Sequence, residues 1–139
     1  MTQLVDDRVL SALLQGRAPP QPEQPVYTTG CWYVRLCQAA LSSTVSGTLS
    51  SSFAELPPKL VPRALHSLLE LPEEIGLVSL RTLAPLIGRL RSRHRQLNLL
   101  SIEALAAALH LDAQVYLLTP TPPLQDALAA EGRQAVILA

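Results

Sequence analysis

Two acidic residues stand at the ends of predicted secondary-structure elements, where they could take part in metal chemistry. Asp6 ends a short strand, Gln3–Asp6, and Glu103 lies at the start of an apolar, alanine-rich helix. Thr121 follows another predicted strand. Because the carboxyl ends of parallel strands meet at one edge of a sheet, we expect these three positions to come together there. Carboxylates grouped in this way can hold Mg²⁺ or Mn²⁺, which activate water and clamp a phosphodiester during in-line attack.

Each of the two acids also has a structural interpretation. Asp6 could cap the helix that begins near Arg8, although Asp7 is the better positioned cap. Glu103 follows Ser101, the predicted N-cap, so it could instead stabilise the positive end of the helix dipole. The sequence leaves both alternatives open.

The two cysteines and the arginine-rich stretch do not point to a particular function. Cys31 and Cys37 are too few for a disulfide framework and lie about 240° apart on a helix, so we expect two reduced, packed thiols. The Arg89–Arg95 cluster could bind a phosphate backbone. Its alternating spacing spreads the charges around a helix, which favours a solvated face.

The alternation of short apolar runs with helix-length segments predicts the architecture that would position these residues. It is typical of βαβ units, and we expect a three-layer α/β/α sandwich with a mainly parallel sheet of four to five strands. One domain, 1–139, accounts for the whole chain. The predicted strands are Gln3–Asp6, Ile75–Leu80, Val115–Leu118 and Val136–Leu138.

Helix signals fill the intervals between these strands. The predicted helices run from Val9 to Leu14, from a cap at Thr28 or Thr29 to Leu41, from Pro57 to Pro72, from Arg81 to Leu97, from Ser101 to Leu109, and from Leu124 to Ala130. The Ser42–Phe53 stretch is rich in serine, threonine and glycine and predicts a mobile connection, which could be a lid, a contact surface or a disordered segment.

The composition narrows the choice of partners and cellular location. The 11 basic and 11 acidic residues give a net charge of zero, which implies neither a nucleic-acid nor a membrane partner. A neutral domain is more prone to self-association than a highly charged one. No 18-residue apolar run could span a membrane. Asp6 and Asp7 stand where a signal peptide would be basic, so we expect a cytoplasmic protein.

Three stretches together resemble the PIN-domain family, of the toxin-like bacterial kind. The segment from Leu4 to Leu10 is similar to the family's opening strand and its first aspartate. The segment from Ser101 to Ala108 is similar to its third motif, in which an acidic residue precedes an Ala-Leu pair. The segment from Leu117 to Thr121 resembles the fourth motif, a strand that ends in Leu-Thr. The resemblance covers most of the carboxyl half and is loose from Ala18 to Leu71.

The resemblance implies a metal-dependent endoribonuclease of the toxin–antitoxin type. Asp6 and Glu103 would be the catalytic residues and the ligands of Mg²⁺ or Mn²⁺, with Asp7 and Thr121 as remnants of the acidic site. The family uses about four carboxylates. Thr121 stands where the last aspartate would be, and the helix from Thr28 to Leu41 contains no acid, so we expect weak or absent cleavage.

The alternative is a non-catalytic PIN-like interaction module. Such a module would act as a homodimer or bind RNA or another protein, for example an antitoxin-like partner. PIN-like proteins pair through their early helices, and Trp32 and Tyr33 lie side by side in one of these. Because adjacent helical residues point in different directions, we expect one to pack in the core and the other to lie at a subunit contact.

Overall fold

A five-stranded parallel sheet forms the centre of the molecule. The computed structural model describes residues 1–42 and 70–138, and its sheet has the strand order β3-β2-β1-β4-β5. All four strand pairings are parallel. The predicted mainly parallel α/β sheet is therefore confirmed. The strands are β1 (Thr2–Val5), β2 (Val26–Thr29), β3 (Ile75–Val78), β4 (Ala113–Leu117) and β5 (Ala135–Ile137).

Helices lie in the connections between consecutive strands. In the described ranges they are α1 (Asp7–Leu14), α2 (Gly30–Ser42), α3 (Leu80–Arg91), α4 (Leu99–Leu111) and α5 (Pro122–Ala130). The predicted connection at Ser42–Phe53 and the predicted helix from Pro57 to Pro72 fall almost entirely outside the described residues.

The sheet separates two apolar cores, as a three-layer sandwich requires. Neighbouring residues of a strand point to opposite faces, so Leu4 packs in one core and Val5 in the other. In β4, Val115 and Leu117 join Leu4, whereas Tyr116 joins Val5. The larger core is formed mainly with α3, α4 and α5, and the smaller one with α1 and α2.

Strand β2 occupies a segment for which the sequence predicted only a helix cap. Thr29 does cap α2, because its hydroxyl oxygen accepts a hydrogen bond from the backbone N–H of Trp32 at 3.1 Å. Thr28 is instead a buried strand residue whose hydroxyl donates to the carbonyl of Val5 at 2.9 Å. Tyr27 pairs in register with Gly76 of β3, and its ring fills the space where a Cβ at position 76 would lie.

Several predicted helix boundaries differ from the structure, and two of these differences change a helix cap or a buried turn. Helix α3 ends at Arg91 rather than Leu97, and the chain then turns so that His94 and Leu97 are buried. Helix α4 begins at Leu99, with Asn98 rather than Ser101 as its N-cap. The Asn98 side chain accepts from the backbone N–H of Ser101 at 2.9 Å, so Ser101 already belongs to the first turn.

Candidate functional site

The predicted site residues lie near the carboxyl ends of β1, β2 and β4. Strand β1 is the centre of the sheet, and the chain builds outward from it first through β2 and β3 and later through β4 and β5. The crevice beside the carboxyl end of β1 is therefore the point where the order of strands reverses, which is where open α/β sheets bind ligands.

Asp6 occupies this switch point, and backbone groups surround its carboxylate. Its Oδ1 accepts from the N–H of Val9 at 2.8 Å, which makes Asp6 the N-cap of α1. Its Oδ2 accepts from Leu118 at 2.9 Å and from Thr119 at 3.3 Å, just beyond β4. Asp6 thus joins the end of β1, the start of α1 and the end of β4. The alternative in which Asp7 caps the helix is wrong.

The environment of Asp6 contains groups that raise the pKa of its carboxyl and groups that lower it. The side chain is only 2% exposed, and this burial raises the pKa of Asp6 above its ordinary value. The hydrogen bonds from Val9, Thr119 and Leu118 lower the pKa because they favour the ionised form, whereas the nearby charge of Asp7 raises it further.

Glu103 lies in the second turn of α4 and is completely buried. Its Oε1 accepts from the backbone N–H of Cys31, in the first turn of α2, at 2.8 Å. The position in the second turn corrects the expectation that Glu103 lies in the first turn of its own helix. Glu103 instead faces the N-terminus of another helix, α2, where a negative charge is favourable.

The Cys31 thiol is the second group that contacts the Glu103 carboxylate. Burial, a hydrogen bond to Glu103 and the charge of Glu103 together raise the pKa of Cys31 to about 11. The thiol is therefore protonated at neutral pH and is a poor nucleophile or metal ligand. Cys31 and Cys37 are both free, as expected for reduced thiols.

Asp7 and Thr121 lie at the same edge of the sheet but have other partners. The Oδ2 of Asp7 pairs with the Nε of Arg35 on α2 at 3.5 Å. The hydroxyl of Thr121 donates to the carbonyl of Thr119 at 3.2 Å, and its backbone N–H donates to the Gln125 side chain.

A divalent cation would find an incomplete set of ligands here. Among the residues that the structure describes, no three His, Cys, Asp or Glu side chains come together in a way that could hold a metal ion. The hydrogen bonds of Asp6 and Glu103 also go to different elements. One observation fits a cation: Oε2 of Glu103 is buried and accepts no hydrogen bond.

The aromatic pair of α2 divides between core and surface. Trp32 is 2% exposed and belongs to the larger core. Tyr33 is half-buried and packs against the smaller core. Tyr33 is therefore the member of the pair that reaches the molecular surface.

The Arg89–Arg95 cluster includes side chains with structural roles. Arg93 donates two hydrogen bonds to Glu131, at 3.2 and 3.0 Å, and the buried His94 contacts the same carboxylate at 2.8 Å. Arg91 donates to the carbonyl of Leu97. The sequence did not predict these contacts, because Glu131 lies 37 positions beyond His94.

Comparison with known proteins adds no identification. No protein-family model matches the chain, and no curated protein is significantly similar to it.

Within residues 1–42 and 70–138, no helix has the length and apolar character needed to cross a membrane.

Proposed function

We propose that the chain is a PIN-like domain that works as a non-catalytic interaction module. The observation that carries this proposal is the use of its two central acids as backbone acceptors. Asp6 receives three backbone N–H groups and Glu103 receives one, and both side chains are buried. Hydrogen bonds to a charged acceptor contribute about 1.5–3 kcal/mol each, so stability alone is a sufficient role for both carboxylates.

The position of Thr121 supports the same proposal. For a complete acidic site, Asp126 or Glu131 would have to take the place of the carboxylate that Thr121 lacks. Asp126 is exposed on α5, and Glu131 lies at the far end of that helix, bound to Arg93 and His94. A nine-residue helix is roughly 13 Å long, so Glu131 is too distant to replace Thr121.

A second candidate function is a weak metal-dependent endoribonuclease. The unpartnered Oε2 of Glu103 favours it, because a buried carboxylate oxygen without a hydrogen bond is an available ligand. In this proposal Asp6 and Glu103 bind Mg²⁺ or Mn²⁺ together with water, and Asp7 assists. The ion would polarise the phosphodiester and activate water for attack.

The proposed module acts as a homodimer, and α2 offers a surface for the contact. Val34 and Leu41 are apolar, 55% and 65% exposed, and seven positions apart on this helix. That spacing places both on one face, two turns from each other. An antitoxin-like protein or an RNA segment would be the alternative partner.

Calorimetric titration with Mn²⁺ separates the two functions. We compare the wild type with Glu103→Gln, which keeps the side-chain shape and one oxygen for Cys31, and with Asp126→Asn as a matched surface control. The interaction module should show no saturable Mn²⁺ binding in any of these proteins. A parallel assay should show no Mn²⁺-dependent cleavage of single-stranded RNA above the level of the Glu103→Gln variant.

Saturable Mn²⁺ binding that is lost in Glu103→Gln and kept in Asp126→Asn would instead support the endoribonuclease. Thermal unfolding of each variant shows whether a loss of binding follows from a loss of structure. Mn²⁺-dependent cleavage by the wild type that disappears in Glu103→Gln would overturn the non-catalytic proposal.

A further inference from the structure

A cleft between α1 and α2 gathers more positive than negative charge. Its cavity, of about 270 Å³, is lined by three arginines and by one carboxylate, that of Asp7. The arginines are Arg8 in the first turn of α1, Arg17 beyond its last turn and Arg35 on α2. Three guanidinium groups against one carboxylate leave about two positive charges at the cleft.

The positive charge is available to a ligand because most of it is unpaired. The carboxylate of Asp7 forms an ion pair with the guanidinium group of Arg35, at 3.5 Å. Arg8 and Arg17 are exposed, and in the part of the chain that the structure describes neither forms an ion pair. Exposed arginines that line a concavity, rather than a convex helix face, can approach the same ligand from different sides.

The wall of the cleft also carries neutral polar groups. Ser11 is buried, and its hydroxyl oxygen accepts from the Gln15 amide at 3.0 Å; both residues line the cavity. Because its oxygen is the acceptor in that bond, the Ser11 hydroxyl keeps its own hydrogen as a donor. Ser11 can therefore donate to an anion held by the arginines.

An apolar cavity adjoins the charged one. Its volume is about 210 Å³, and it shares Ala12, Arg17 and Leu118 with the first cavity. Its remaining lining is mainly apolar: Val9, Leu13, Ala18, Pro20 and Leu138. The two cavities together have the size of a small-molecule site, in which a few polar groups orient an otherwise apolar ligand.

We propose that this cleft binds a small phosphomonoester whose phosphate contacts Arg8 and Arg17 and whose less polar part lies in the adjoining cavity. A phosphomonoester carries close to two negative charges at neutral pH and therefore balances the excess charge of the cleft. The planar guanidinium fork can bind either a phosphate or a carboxylate in a bidentate manner, but a carboxylate supplies only one charge. The cleft contains neither Asp6 nor Glu103, although Asp7 and Leu118, which adjoin Asp6, line it. Ligand binding to the cleft is measured without metal, so its test does not depend on the proposed function.

Calorimetry with adenosine 5′-monophosphate (AMP) tests this proposal on the full chain. We compare the wild type with Arg8→Gln/Arg17→Gln and with Arg95→Gln, a control at an exposed arginine outside the cleft. AMP should bind the wild type and Arg95→Gln equally, and the double variant at least about tenfold more weakly. Inorganic phosphate should compete with AMP, adenosine should not bind measurably, and added salt should weaken AMP binding.

Three outcomes would overturn the proposal. The first is no binding of AMP or inorganic phosphate to the wild type at about 10 mM, a concentration that would detect even very weak sites. The second is an equal loss of AMP affinity in Arg95→Gln, which would make the interaction a non-specific effect of charge. The third is binding of a single-stranded oligonucleotide at least about a hundredfold more tightly than AMP, because the surface would then bind the phosphate backbone of a polynucleotide.

Discussion

The carboxylate of Asp6 accepts hydrogen bonds from two segments that are far apart in sequence. Val9 follows it by three positions, whereas Leu118 and Thr119 follow it by 112 and 113. The sequence predicted the place of Asp6 at the end of the first strand and its possible role as a cap. It could not predict the bonds to Leu118 and Thr119, because these depend on β4 pairing beside β1.

The position of Glu103 in its helix also could not be predicted, because it depends on which residue caps the helix. Asn98 and Ser101 are both good N-cap residues, and the sequence alone gave no reason to prefer Asn98. The choice moves Glu103 from the first turn to the second, which directs its carboxylate to Cys31 of α2 rather than to its own helix terminus. A shift of three residues in the predicted cap, from Ser101 to Asn98, therefore changes which helix terminus Glu103 is expected to contact.

The pKa of the Cys31 thiol depends in part on the charge of Glu103. Because Glu103 raises the pKa of Cys31 both by its hydrogen bond and by its charge, Glu103→Gln should lower the thiol pKa from about 11. Burial, the largest cause, remains in the variant, so the pKa should stay above the ordinary value of 9.0. The pH dependence of alkylation by iodoacetamide, measured in a Cys37→Ala background, gives this pKa.

Glu73→Gln, a change at an exposed acid, is the matched control and should leave the Cys31 profile unchanged. An identical alkylation profile in Glu103→Gln and the wild type would show that the carboxylate does not act on the thiol.

At the scale of elements, apolar patterning predicted most of the sheet and helices. The boundaries that failed depend on contacts distant in sequence or on very short segments. Strand β2 has four residues, follows Pro25 and runs directly into α2, so its pattern was too short to separate from the helix. The end of α3 at Arg91 follows from the burial of His94 against Glu131, which no local pattern indicates.

The contact between the end of α3 and the end of α5 should make stability depend on pH. The hydrogen bond from Arg93, followed by that from His94, lowers the pKa of Glu131 below its ordinary 4.5. The folded chain therefore favours the ionised carboxylate. Its stabilising contribution is complete above pH 4.5 and is lost as the pH falls through the lower pKa of the folded state.

Urea unfolding of the wild type and Glu131→Gln across this range measures the effect. At neutral pH the variant should be less stable by about 1 kcal/mol, because Arg93 is largely exposed and solvent screens the pair. The difference should shrink toward zero in acid. Asp126→Asn, on the same helix, should show no such convergence. A difference between wild type and Glu131→Gln that stays constant with pH would contradict the assigned role of the carboxylate.

At the scale of the whole molecule, the two buried acids connect parts of the fold that the sheet alone does not join. Asp6 fixes the loop after β4 to the start of α1, and Glu103 extends from α4 to the N-terminus of α2. Helices α4 and α2 pack mainly in different cores. Glu103 therefore bridges the two helical layers at the carboxyl edge of the sheet, which supports a structural role for the acids.

The exposed apolar face of α2 leads to a prediction about assembly. If Val34 and Leu41 form the centre of a homodimer contact, light scattering after size exclusion should give the wild type about twice the 15.0 kDa mass of one chain. Val34→Glu/Leu41→Glu should be monomeric, because charges buried at the centre of the contact would lack partners. Leu99→Glu, a change at an apolar residue that is 56% exposed on α4, should remain dimeric. A monomeric wild type, or a double variant that keeps the dimer mass, would show that this face of α2 does not join two copies of the chain.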